Sequence, residues 1–144
     1  MRQHLLFVGV LSIGSLVALG CGQKKINECN AIIGVINTGV QNLEKSGKIA
    51  GDPSGVGELK SMADAMDKVA ADAAKVELSI PELKKYSTDY QAMAKDVAKA
   101  ARDMAAAAEA KDANKINAAQ AAMEKAVKAE DPLVDSINKF CQAP

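Results

Sequence analysis

Histidine and aromatic residues are scarce in this sequence of 144 residues, which has one histidine, no tryptophan, two tyrosines and two phenylalanines. The single histidine, His4, lies in the apolar N-terminal segment, so the rest of the chain has no imidazole for acid–base catalysis, metal binding or haem ligation. Serine–histidine and cysteine–histidine nucleophiles are excluded, as are helical di-metal sites that need a Glu-x-x-His motif. We therefore expect no catalytic, cofactor-binding or metal-binding residues and no enzyme, although composition leaves serine–lysine chemistry open.

An excess of charge of either sign is also missing. The chain has 18 basic and 18 acidic residues, so its formal net charge is zero, and this balance indicates no nucleic-acid partner. Only four prolines interrupt the chain, and alanine, the best helix former, dominates its second half. The length suits one domain rather than two. Together these features predict a single all-α domain.

The N-terminal apolar run is too short to span a membrane comfortably. It extends from Leu5 to Leu19 after the basic Arg2, and its 15 residues make a helix of about 22 Å, against a hydrocarbon core of about 30 Å. A basic start followed by a short apolar run is typical of a signal peptide. We predict a cleaved signal peptide over residues 1–20, with an uncleaved membrane anchor as the alternative.

The end of this segment, Val-Ala-Leu-Gly-Cys at residues 17–21, resembles the lipobox of bacterial lipoproteins. Ala18 stands where that family most often has leucine, but the small residue directly before the cysteine is present. The resemblance implies that the Cys21 thiol receives diacylglycerol, that signal peptidase II cuts before Cys21, and that acyl chains such as palmitate anchor the protein stably. Gly22, rather than aspartate, follows the cysteine. By the same resemblance this implies an outer-membrane location with the domain in the periplasm; the inner membrane and the cell surface are the alternatives.

Apolar residues recur at spacings of three and four after Lys24, in four stretches. They predict helices at about 26–46, 56–78, 80–110 and 114–141, preceded by a lipidated tether over 21–25. Each stretch has a heptad seam of the coiled-coil type. Short connections between four helices favour an antiparallel up-down-up-down four-helix bundle over residues 26–142. The first seam consists of Ile26, Cys29, Ile33, Ile36, Val40 and Leu43.

Local signals mark the predicted helix boundaries. Four glycines and a proline break the chain between residues 46 and 57. The run Ser79–Glu82 predicts a capping box for the third helix. A turn near 111–115, capped by Asp112 or Asn114, separates the third and fourth seams. Glu130, just before Asp131-Pro132, predicts a kink or a new helix start within the last stretch.

The two remaining cysteines, Cys29 and Cys141, are at opposite ends of the domain sequence. In an up-down-up-down bundle these positions lie at the same end, and an exported protein is in a compartment where disulfides persist. We predict a Cys29–Cys141 disulfide. The alternative is two free, buried cysteines, which one rod formed from helices three and four would require. Because seams can also be satisfied between chains, a homo-oligomer built from hairpins is a further possibility.

These features indicate a membrane-anchored, non-catalytic cell-envelope lipoprotein with a structural or protein-interaction role. Its expected partners are the membrane, through Cys21, and an envelope protein. The alternative is a periplasmic helical module that binds a small molecule or a metal near Tyr86, Tyr90 and Phe140. The alanine-rich heptads also resemble murein lipoprotein, but the chain ends Cys-Gln-Ala-Pro, without the C-terminal lysine or arginine by which that family is joined to peptidoglycan.

Overall fold

A computed structural model describes residues 19–46 and 54–143, with side chains over 22–44 and 54–143. Most of the predicted signal peptide (1–18) and the middle of the glycine-rich segment (47–53) lie outside the described residues. The described ranges contain no strand, which confirms the all-α class, and none of their helices is long and apolar enough to cross a membrane. The helices are α1 (Leu19–Ser46), α2 (Val56–Ala74), α3 (Pro81–Glu109), α4 (Ala113–Lys128) and α5 (Glu130–Gln142).

The two boundaries in the alanine-rich half fall where local chemistry predicts them. After α3, Lys111 has a left-handed φ of 54°, which reverses the chain. Asp112 then caps α4 by accepting a hydrogen bond from the Lys115 backbone N–H at 3.1 Å. The last predicted helix is divided at Ala129, and Glu130 begins α5.

The start of α3 differs from the predicted capping box. The N-cap residue is Ile80, whose side chain makes no capping hydrogen bond, and Pro81 occupies the first turn. The Ser79 hydroxyl donates instead to Glu28 of α1. The prediction of a local Ser79–Glu82 box is therefore wrong, because a carboxylate from another helix takes its place.

The α2 and α3 helices form the most extensive contact and run in opposite directions. Lys60, near the start of α2, pairs with Glu109 at the end of α3 at 2.6 Å. At the other end the Ser87 hydroxyl donates to the Ala73 carbonyl oxygen at 3.2 Å. The ion pair is half exposed and contributes little stability, so apolar burial between the helices provides most of it.

The α1 helix packs mainly on α2 and makes no contact with α4 within the described residues. Helices α1 and α2 approach closely at Gly39, where an added Cβ would lie 2.7 Å from Val69 Cγ2. The predicted seam of α1 is only partly buried: Ile26 is 52% exposed and Val40 is 41% exposed, whereas Ile32, outside the seam, is fully buried. In a closed four-helix bundle α1 would pack between two neighbouring helices, whereas here α2 is its one main neighbour.

Helix α3 lies between α2 and α4, and its small side chains permit close contact with both. Each alanine buries little apolar area, so the core is thin for its length. Helix α5 completes the core, since it contacts α1, α3 and α4. The largest fully buried side chains are Tyr90, Ile32, Leu83 and Ile137.

Candidate functional site

The predicted lipid-attachment residue, Cys21, lies at the beginning of the folded domain. Helix α1 starts at Leu19, so residues 21–25, predicted as a tether, are helical. Cys29 is eight positions after Cys21 in the sequence, which corresponds to a rise of about 12 Å along a helix. Gly22, Gln23 and Lys24 are all exposed. The backbone of Cys21 therefore continues directly into the helix that carries the disulfide.

The disulfide joins this helix to the last one. The structure bonds Cys29, 3% exposed, to Cys141 of α5, with their Cα atoms 5.7 Å apart and a sequence separation of 112. The Cα separation is within the usual range for a disulfide. These are the two cysteines that the sequence analysis pairs, and their bond closes almost the whole described domain into one loop.

A second contact joins α1 to the C-terminal end of α5, near the disulfide in sequence, and the sequence did not predict it. The Lys25 ammonium donates to the Ala143 carbonyl oxygen at 2.7 Å and lies 4.6 Å from the centre of the Phe140 ring. Such cation–π contacts stabilise modestly at exposed sites. The Phe140 ring in turn meets Tyr86 edge to face, with centroids 6.0 Å apart. Two of the three aromatic residues suggested as a ligand site, Tyr86 and Phe140, thus pack against each other, and the third, Tyr90, is buried.

Glu28, adjacent to the disulfide, caps the start of α3 from across the fold. Its carboxylate accepts hydrogen bonds from the backbone N–H groups of Ser79 at 2.9 Å and Ile80 at 3.0 Å, and from the Ser79 hydroxyl. Hydrogen bonds from Ser79 and Ile80 hold the pKa of Glu28 below its ordinary value of 4.5. The carboxylate therefore links α1 to the α2–α3 connection in its ionised form.

Replacing Glu28 with glutamine is expected to lower the melting temperature at pH 7, because an amide cannot accept these hydrogen bonds as strongly. The native carboxylate has a lowered pKa, so its stabilisation is present above pH 4.5 and is lost as the pH falls below that value through the folded-state pKa. The difference between wild type and variant should therefore shrink on acidification. Thermal unfolding between pH 7 and pH 3 measures it.

Glu44→Gln, at an exposed position of the same helix, is the matched control and should leave the melting temperature unchanged at pH 7. An equal melting temperature for wild type and Glu28→Gln across this range would show that the cap does not stabilise the fold.

Tyr90, in the core, and Glu130, partly buried, are two further titratable groups with shifted pKa values. Burial, and then the charge of Glu130, raises the pKa of Tyr90 to about 12. Burial, and then the charge of Asp131, raises the pKa of Glu130 above its ordinary value. Glu130 remains partly buried at the start of α5, where an acidic residue interacts favourably with the helix dipole. The Tyr90 hydroxyl is therefore neutral at physiological pH, and nothing in its surroundings suggests acid–base chemistry.

Possible metal ligands do not converge within the described ranges. No group of three or more histidine, cysteine, aspartate or glutamate side chains there could hold a metal ion. Met66 and Met93 are buried in the core, where methionine commonly fills gaps.

A groove follows one side of the α3–α4 pair in the alanine-rich half of the chain. Its two adjoining parts have volumes of about 460 and 400 Å³, and Asp103 and Ala122 line both. The part near the α4–α5 junction also contains Asp89, Asp96 and Lys125. The other part, near the α3–α4 turn, contains Lys115.

Charge is distributed unequally between the two walls of this α3–α4 groove. Three aspartates spaced seven residues apart, Asp89, Asp96 and Asp103, line the α3 wall together with one lysine, Lys99, so this wall has an excess of negative charge. The α4 wall has Lys115 and Lys125 and no acidic residue among its lining positions. The sequence analysis missed this pattern, although the heptad spacing of the aspartates is visible in the sequence. Recognising it as a groove requires knowledge of which face α4 covers.

Comparison with known proteins finds no match to a family model, to a curated protein or to a solved structure.

Proposed function

We propose that this chain is a bacterial cell-envelope lipoprotein whose helical domain acts without catalysis, as a structural or protein-interaction element. Lipid on Cys21 holds it on the outer membrane, and the domain is in the periplasm. The structural observation that supports this most is the continuity of α1, which after cleavage before Cys21 would run from Cys21 to Ser46. An acyl chain on Cys21 joins a rigid helix, so the anchor fixes the position of the domain instead of leaving it on a loose linker.

We further propose that the helices alternate in direction as an antiparallel up-down bundle, opened between α1 and α4. The opposed α2 and α3 helices and the Cys29–Cys141 bond support this topology. The anchored end then contains the disulfide. The 29 residues of α3 extend for about 44 Å, so the α3–α4 turn is far from the membrane and available for contacts.

Two exposed apolar side chains mark where a protein partner would bind this domain. Val40 of α1 is 41% exposed and Val127 of α4 is 47% exposed, and these two helices do not touch within the described ranges. Both side chains are exposed aliphatic groups on helices that share α3 and α5 as neighbours but do not cover each other, and we take these two positions as the candidate surface for a protein partner.

The test is photo-cross-linking in intact cells, with a photoreactive amino acid in place of Val40 or Val127. The matched strain has the same probe in a secreted Cys21→Ser background, and an exposed position away from this surface, Lys95, carries the probe as the control. We expect an envelope protein to be captured from Val40 or Val127 in the anchored form alone. Equal capture by the unanchored form, or identical products from Lys95, would contradict the proposed role.

A further inference from the structure

The two walls of the α3–α4 groove have opposite net charge. Asp89, Asp96 and Asp103 outnumber Lys99 on the α3 wall, and Lys115 and Lys125 are the charged residues of the α4 wall. Some of these charges are already paired within the chain. Asp89 pairs with Lys85, Asp103 with Lys99, and Lys115 with Asp112. Within the described ranges no ion pair involves Asp96 or Lys125. The groove therefore offers one acidic and one basic position for an outside partner.

The space between the walls is lined by alanine, and such small side chains allow the backbone of another helix to approach closely. Exposed members on the α4 side include Ala118 and Ala122. Alanine gives little apolar area, so contacts of this kind depend on charges at their edges for partner choice and register, as at the e and g positions of coiled coils. The occupant must then place a basic helix against the acidic α3 wall and an acidic helix against the basic α4 wall.

We propose that the occupant is a second copy of this chain, with α3 of each copy lying against α4 of the other around a two-fold axis parallel to the helices. This operation places the acidic wall of one copy opposite the basic wall of its partner. Asp96 and Lys125 line the same part of the groove, so they meet across the axis at the same level. Asp103 and Lys115 share the other part and meet in the same way.

The charges also exclude the other two-fold arrangement of the same surface. An axis perpendicular to the helices would set α3 against α3 and α4 against α4. Two α3 walls, each with three aspartates and one lysine, would then face each other, and the lysines of α4 would face lysines, so walls of like net charge would meet. The parallel axis has a second consequence: both copies of Cys21 lie at one end, as attachment to a single membrane requires. The proposal itself depends only on the groove.

The experiment uses the full processed protein, purified in detergent from membranes of cells grown in normal or ¹⁵N medium and then mixed. A carbodiimide joins carboxylates to amines that are in contact without adding a spacer. After subunits have exchanged, mass spectrometry identifies products that contain both isotopes, and such products can join only two different copies. We expect mixed-isotope products that join Asp96 to Lys125 and Asp103 to Lys115.

Substitutions at neighbouring alanines provide the matched control. Ala122 lines the groove, whereas Ala121 is exposed but does not line it. By sedimentation, Ala122→Trp should raise the dimer dissociation constant at least tenfold, and Ala121→Trp should not change it. Asp96→Lys should weaken the dimer, and adding Lys125→Asp should restore it. Monomers at all concentrations, single-isotope products alone, or equal effects of the two tryptophans would overturn the proposal. Partner capture at Val40 or Val127 is independent of each of these outcomes.

Discussion

Replacement of both Cys29 and Cys141 with serine is expected to lower the free energy of unfolding by about 4–5 kcal/mol, because the bond closes a loop with a sequence separation of 112 residues. In a domain of this size that corresponds to a fall in melting temperature of about 15–20 °C. The effect is large relative to the thin, alanine-rich core. Chemical denaturation of wild type and variant, monitored by helical circular dichroism, measures it.

Reduction of the wild-type protein provides the control for this experiment. Reducing agent should bring wild type close to the stability of the double variant and leave the variant unchanged. Serine at position 29 also changes a buried site, so the Cys29→Ala, Cys141→Ala pair should show the same loss. A wild-type protein whose unfolding is unaffected by reduction would mean that the bond is absent or does not stabilise the native state.

Cys21→Ser is expected to release the protein from the membrane, with at least a tenfold fall in the membrane-bound fraction. Two or three acyl chains give stable attachment, and serine cannot carry them as thioether-linked diacylglycerol. The domain should remain folded, since the Cys29–Cys141 bond does not involve residue 21. Separation of membrane and soluble fractions, followed by immunoblotting, measures the change.

Gly22→Asp is the companion variant. An added Cβ at Gly22 would meet no atom within 4 Å, so the side chain fits the helix without strain. In enterobacterial lipoproteins, aspartate directly after the lipidated cysteine tends to retain the protein at the inner membrane. The Gly22→Asp variant should therefore stay lipidated and membrane-bound but move toward the inner-membrane fraction. Membrane association of Cys21→Ser equal to that of wild type would contradict the proposed anchor.

Much of the secondary structure is predictable from sequence because local signals and apolar spacing agree. The break at residues 110–112 follows from a change of phase between two seams, and Asp112 supplies the cap. The interruption before Pro132 follows from the missing N–H of proline and the polar Glu130 on an apolar face. The cysteine pair follows from the even number of predicted helices, which returns the chain to the end of the bundle where it began.

The contacts that cross the fold were not predictable in the same way. Glu28 caps a connection that is 51 residues away in sequence, and Lys25 binds Ala143 from the opposite end of the chain. Neither contact has a local sequence pattern. The seam of α1 was overestimated because periodicity indicates which face is apolar but not how many neighbours cover it. Ile26 and Val40 remain exposed for that reason.

The intact mass of the protein purified from membranes, without reduction, tests the central claim of a lipid-anchored, disulfide-closed domain most directly. The account predicts a chain that begins at Cys21, carries the mass of a diacylglycerol with or without one further acyl chain, and is two hydrogens lighter than the reduced form. An unmodified chain that retains residues 1–20, or one with two free thiols at Cys29 and Cys141, would contradict it.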